Sequence, residues 1–149
     1  ESSTARWWGH EGGEMSEKAL LVCFGGMSNV GTLTGLAALE VARAGEATIF
    51  CLASLANGDP MVRERLEEAA RIVTVDGCPL ACAKRIAERA GFPPHRALVL
   101  SQDLGIVKGP PMAVEEGHVS RAAALIREAL KPKDEGKGQV TPGPGGEGM

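Results

Sequence analysis

The sequence has no tyrosine, and its only tryptophans, Trp7 and Trp8, stand close to the N-terminus. Aromatic residues make up 3% of the chain, which leaves little from which to build platforms that stack nucleic-acid bases. Basic charge is also short, with 16 Lys and Arg against 19 Asp and Glu, so no positive field gathers phosphates. Nucleic acid is therefore not an expected partner. No apolar run approaches the ~20 residues of a transmembrane helix, so no membrane partner is expected either. The first fourteen residues, ESSTARWWGHEGGE, lack the apolar stretch of a secretory signal. Met15 fits a natural start, which makes residues 1–14 read as an added leader. With no export signal the expected location is the cytoplasm, where four cysteines point to metal or redox chemistry more than to structural disulfides.

What is present is the signature of one small α/β domain. A chain of 149 residues can bury one substantial core. Residues 1–16 read as an unstructured leader, residues 17–131 as the domain, and residues 132–149 as a tail. That tail is so rich in Gly, Pro and charge that burial cannot offset its ordering entropy. Within the domain, short apolar runs at 19–24, 47–52, 71–75 and 96–100 are bounded by turn residues and fit buried parallel strands. Helical stretches alternate with them. One covers 31–43 with Asn29 as its cap. A second runs from Asp59-Pro60 through Ala70, and a third opens at Pro79. A last one, over 114–130, carries Val119, Ala122, Leu125, Ile126 and Ala129 on one face. Right-handed βαβ units then predict a Rossmann-like three-layer sandwich of about four parallel strands, in the order 2-1-3-4.

In such sheets the functional crevice lies beyond the carboxyl ends of the strands. Cys23 and Cys51 fall near the ends of the first two predicted strands. Cys78 lies just after the third, in the turn Asp76-Gly77-Cys78, and Cys82 follows one helical turn later if the helix begins at Pro79. Four thiols delivered to one edge fit a tetrahedral zinc site, and the Cys78–Cys82 spacing is one that such sites use. An iron–sulfur cluster takes the same ligands. The competing reading is that free cysteines are small buried hydrophobes, which applies most to Cys23 and Cys51 inside apolar strands. Asp76 is either a support for the metal ligands or a turn and cap residue.

The segments Cys23-Phe24-Gly25-Gly26-Met27-Ser28-Asn29-Val30-Gly31, Asp76-Gly77-Cys78-Pro79-Leu80-Ala81-Cys82-Ala83-Lys84 and Asp103-Leu104-Gly105-Ile106 resemble the DGC-domain family. Members of that family are described as zinc-binding because of four cysteines able to chelate. The resemblance covers roughly residues 18–110 and implies Cys23, Cys51, Cys78 and Cys82 as the metal ligands. Phe24 stands where a small polar residue is common, and the Gly that usually follows the second cysteine is missing.

Other chemistries have weaker support. The Gly25–Gly31 loop meets neither the dinucleotide G-x-G-x-x-G spacing nor the P-loop pattern, which needs a Lys. His10, His95 and His118 have no neighbour that makes a ligand pair. Lys84 and Arg85 are placed to offset thiolate charge, although exposed helix cations need no such role. The sequence thus supports a closed zinc module of structural or sensory role. Thiol redox or sulfur transfer through Cys78 is the alternative, its thiolate favoured at a helix N-terminus.

Overall fold

A computed structural model describes residues 17–132. The leader and the tail expected from the sequence lie outside the described residues, apart from their edges. Four strands, β1 (Lys18–Val22), β2 (Thr48–Phe50), β3 (Arg71–Asp76) and β4 (Arg96–Val99), form one parallel sheet. Its order, β2-β1-β3-β4, is the predicted one. Helix α1 (Asn29–Arg43) crosses from β1 to β2. Helices α2 (Leu52–Ala56) and α3 (Pro60–Glu67) connect β2 to β3, α4 (Cys82–Arg89) connects β3 to β4, and α5 (Leu100–Asp103) and α6 (Glu116–Leu130) follow.

Helices cover both faces of the sheet, and the strand alternation shows how. Leu20, Val22, Val73 and Val75 pack with Leu33, Ala37 and Val41 of α1 and with Ala122, Ala123 and Ile126 of α6. Ala19, Leu21, Phe50 and Ile72 point the other way, toward Leu55, Val62, Leu66 and Ala87. Successive side chains of a strand face opposite sides, so β1 and β3 have no solvent face to make polar. All six residues of β3 are buried, including Arg71, whose Nε donates to the Ala129 carbonyl at 2.8 Å. No helix among the described residues is long and apolar enough to cross a membrane.

Several boundaries differ from expectation for local reasons. Ser28, not Asn29, caps α1, its Oγ accepting from Gly31 N at 3.1 Å. Asn29 is instead drawn inward. Its Oδ1 accepts from Gly109 N (2.7 Å) and Val30 N (2.8 Å), and its Nδ2 donates to the Val107 carbonyl (3.0 Å). This ties the loop after α5 to the start of α1. The first amides of α1 are thereby occupied, since Asn29 N donates to Gly109 O and Thr32 N to Ser28 O. Few N–H groups remain to cradle a phosphate, in agreement with the failed fingerprints. The short helices α2 and α5 were not expected, because four or five residues carry no readable periodicity.

Candidate metal centre

The strand order reverses between β1 and β3, so their carboxyl ends flank the switch point where α/β folds place their sites. The register pairs Val22 with Val75, which brings the next residues on each strand, Cys23 and Asp76, side by side. Cys23 N donates to the Val75 carbonyl at 3.0 Å and keeps the two chains in step past the end of β1. Asp76 shares the face of Ile72, the side on which α4 lies.

Beyond Asp76 the chain turns sharply. A Cβ on Gly77 would stand 2.6 Å from the carbonyl carbon of Val30, 2.7 Å from its oxygen and 2.9 Å from Gly31 N. Only glycine lets the turn lie this close to the first turn of α1. Cys78 to Ala81 then form a further turn, closed by Ala81 N donating to Cys78 O at 3.0 Å. Ala81 adopts the left-handed conformation (φ 51°, ψ 50°), a strained state for a residue with a side chain.

The helix expected from Pro79 therefore begins at Cys82, and Cys78 and Cys82 do not share a helical face. The cause is Asp76. Its carboxylate is 2% exposed, and its oxygens accept from Ala83 N (2.7 Å) and Lys84 N (3.1 Å), which sets the first turn of α4. Helices need such acceptors for their leading N–H groups, and Ala81 at the cap position supplies none. Asp76 thus holds the helix that carries Cys82. Burial pushes its pKa up, opposed by the two amides and by the Lys84 charge.

Three cysteines gather here. Asp76, Cys82 and Cys78 are the acidic groups that act on the Cys23 thiol. Burial first, and then those acidic neighbours, push the Cys23 thiol up to about 11. All three are half-buried. Phe24 (62% exposed) and Leu80 (61% exposed) stand in the same turns as Cys23 and Cys78. Lys84 pairs with Glu88 at 3.3 Å, and Arg85 reaches the Leu80 carbonyl only at 3.5 Å.

Cys51 stands apart. It is exposed and caps α2, its Sγ accepting from Ser54 N at 3.4 Å. Hydrogen bonds from the Ser54 side chain and backbone hold its pKa below the ordinary thiol value, and Asp59 is its acidic neighbour, not another cysteine. The two described histidines have other partners: His95 Nδ1 accepts from Ile72 N at 3.0 Å, and His118 faces Glu115 at 3.7 Å. His10 lies outside the described residues.

Three soft thiols from two strand ends and a helix start, crowded with a carboxylate, are a donor set suited to a thiophilic cation. Such a cation would favour the thiolate form that burial and the acidic neighbours disfavour at Cys23. As they stand, no three or more Cys, His, Asp or Glu side chains among the described residues are placed to hold a metal ion.

Comparison with known proteins agrees with the motif. The chain is 34% identical over 83 residues to the anaerobic and virulence modulator AnvM of Pseudomonas aeruginosa, covering 56% of this chain and 63% of that protein. The match thus spans less than two thirds of the relative's length. No solved structure matches the chain. The DGC domain profile matches residues 19–126, which contain all four cysteines and the Asp76-Gly77-Cys78 turn, and the chain belongs to the DGC-domain family.

Proposed function

We propose that this protein is a metal-binding module whose centre lies at the switch point of the sheet, with Cys23, Cys78 and Cys82 as its thiolate donors. Zinc is the metal that the reading favours, since three or four thiolates without a redox partner suit it. The observation that supports the reading is the delivery of Cys23, Cys78 and Cys82 to one sheet edge, with Cys23 N bonded to the Val75 carbonyl and Asp76 holding the helix that begins at Cys82. Asp76 would hold no metal itself, because both oxygens are committed to the start of α4. It keeps Cys82 in place. When bound, the metal would supply a positive charge that draws the three thiols into their anionic form. The role is structural, sensory or one of metal handling in the cytoplasm. The naming of AnvM as an anaerobic modulator is compatible with a thiolate centre sensitive to oxidants.

Elemental analysis of the full chain purified without oxygen tests this. About one zinc per chain is expected, lost on Cys23→Ser, Cys78→Ser or Cys82→Ser. Iron with acid-labile sulfide and a brown colour would favour an iron–sulfur cluster instead. A metal-free chain would favour thiol redox chemistry.

A further inference from the structure

We propose that a second copy of this chain docks on the outer face of α1, with the two helices antiparallel across a two-fold axis. None of the residues involved is a thiol, so the interface stands whatever the centre at the sheet edge holds.

Helix α1 is apolar nearly all the way round. Its inner face, with Val30, Leu33, Ala37, Ala38 and Val41, is buried against the sheet and α6. Its outer face carries Thr32, Leu36, Leu39 and Arg43, which recur at intervals of four, three and four and so line one stripe. Leu36 is 40% exposed and Leu39 48%. A surface helix ordinarily turns polar and charged residues outward, and one that is apolar on every side is a covered helix. The apolar area widens on both edges of the stripe. On one edge the exposed Phe24 ring lies on α1 at Gly35, where a Cβ would run into it. On the other, the exposed Met112 shares a hollow of about 350 Å³ with Thr32 and Leu36. Contiguous exposed apolar surface of this kind marks protein–protein contacts.

The stripe is complementary to itself, because its spacing reads the same in both directions. Turned end for end about its middle, it sets Leu36 against the partner's Leu39 and Thr32 against the partner's Arg43, the reciprocity that a two-fold interface requires. The hollow beside Leu36 then receives the partner's Leu39 as a knob enters a hole. The charges agree with this register. Glu115 and Glu116 line the hollow together with Thr32, and Arg43 stands at the other end of the stripe. Within one copy about 16 Å of helix separates Thr32 from Arg43. Arg43 has no ion pair among the described residues, and neither does Glu116. The antiparallel arrangement lays Arg43 of each copy beside the partner's Glu115 and Glu116, so both ends of the seam gain an opposite charge. It also sets the C-terminal end of each α1 beside the N-terminal end of the other, where opposite partial charges meet.

Sedimentation velocity on the full chain tests this, with a shift from the mass of one chain to that of two expected within about 1–500 μM protein. Leu39→Lys brings charge into the middle of the seam and should weaken self-association by about tenfold or more. Leu39 lies outside the buried core, so this variant should keep the circular dichroism of the parent. Arg43→Glu sets like charges at both ends and should weaken association by about tenfold, and adding Glu115→Arg and Glu116→Arg to the same chain should restore most of that loss. In Arg43→Lys, a carbodiimide should couple the new amine to the partner's Glu115 or Glu116, a link that mass spectrometry finds in the dimer and not in the monomer. A chain that stays monomeric at the highest concentration would overturn the inference and leave this face of α1 to a partner of another kind. A dimer indifferent to both Leu39→Lys and Arg43→Glu, or one whose link from position 43 runs to other carboxylates, would put the contact on another face and overturn it equally.

Discussion

Replacing Gly77 by Ala puts a methyl group where the backbone of another element already stands. The new Cβ would meet Val30 and Gly31 at 2.6 to 2.9 Å, and all three of its neighbours there are main-chain atoms. No side chain can swing aside to make room. Either the turn after β3 or the first turn of α1 must shift. The second is held by Ser28 and by Asn29, which also anchors Gly109. Overpacking of this kind costs about 1–3 kcal/mol. The loss is offset by about 0.4–1 kcal/mol, because alanine restricts the unfolded chain more than glycine does. The net expectation is a destabilisation of about 1–2 kcal/mol, or roughly 4–8 °C in thermal midpoint at about 4 °C per kcal/mol for a domain of this size. Gly26 provides the control. A Cβ there has nothing within 4 Å, so Gly26→Ala should leave stability unchanged or slightly raised. Urea titration of the two variants beside the parent measures the difference. If Gly77→Ala proved as stable as Gly26→Ala, close packing against α1 would not be why glycine stands in this turn.

Three further outcomes are expected. Asp76→Asn leaves one acceptor where two amides and a helix N-terminus need a carboxylate, and should cost about 1–2 kcal/mol in urea titration. A variant as stable as the parent would mean that α4 finds its cap elsewhere. Asn29→Ala strands Gly109 N and the Val107 carbonyl and should cost about 2–3 kcal/mol, with faster hydrogen exchange at Gly109; unchanged exchange there would contradict the proposed tie. Hydrogen bonds to a thiolate favour the charged form, so Cys51 should alkylate with a midpoint pH below the ordinary 9.0. Ser54→Ala should move that midpoint upward, and an unmoved profile would show that the Ser54 side chain contributes nothing.

Much of the fold can be read from residue order alone. The four apolar runs became the four strands because a parallel sheet buried on both faces needs continuous hydrophobic segments, and nothing else in the chain supplies them. The order 2-1-3-4 follows from right-handed crossovers and a glycine-rich turn at the switch point. The placement of Cys23 and Cys78 at one edge is legible for the same reason. Tertiary structure decided the rest. Where α4 begins was set by Asp76, seven and eight residues upstream of the amides it accepts, through a carboxylate beyond the end of the strand. That distance hides it from local capping rules, and it moved the helix start from Pro79 to Cys82. The position of Cys51 is set by the short helix that it caps. Composition and spacing place all four cysteines near the carboxyl edge. Only the strand order, with β2 on the far side of β1 from β3, and the helix that Cys51 caps tell that its neighbours are Ser54 and Asp59 while Cys23 has Cys78 and Cys82.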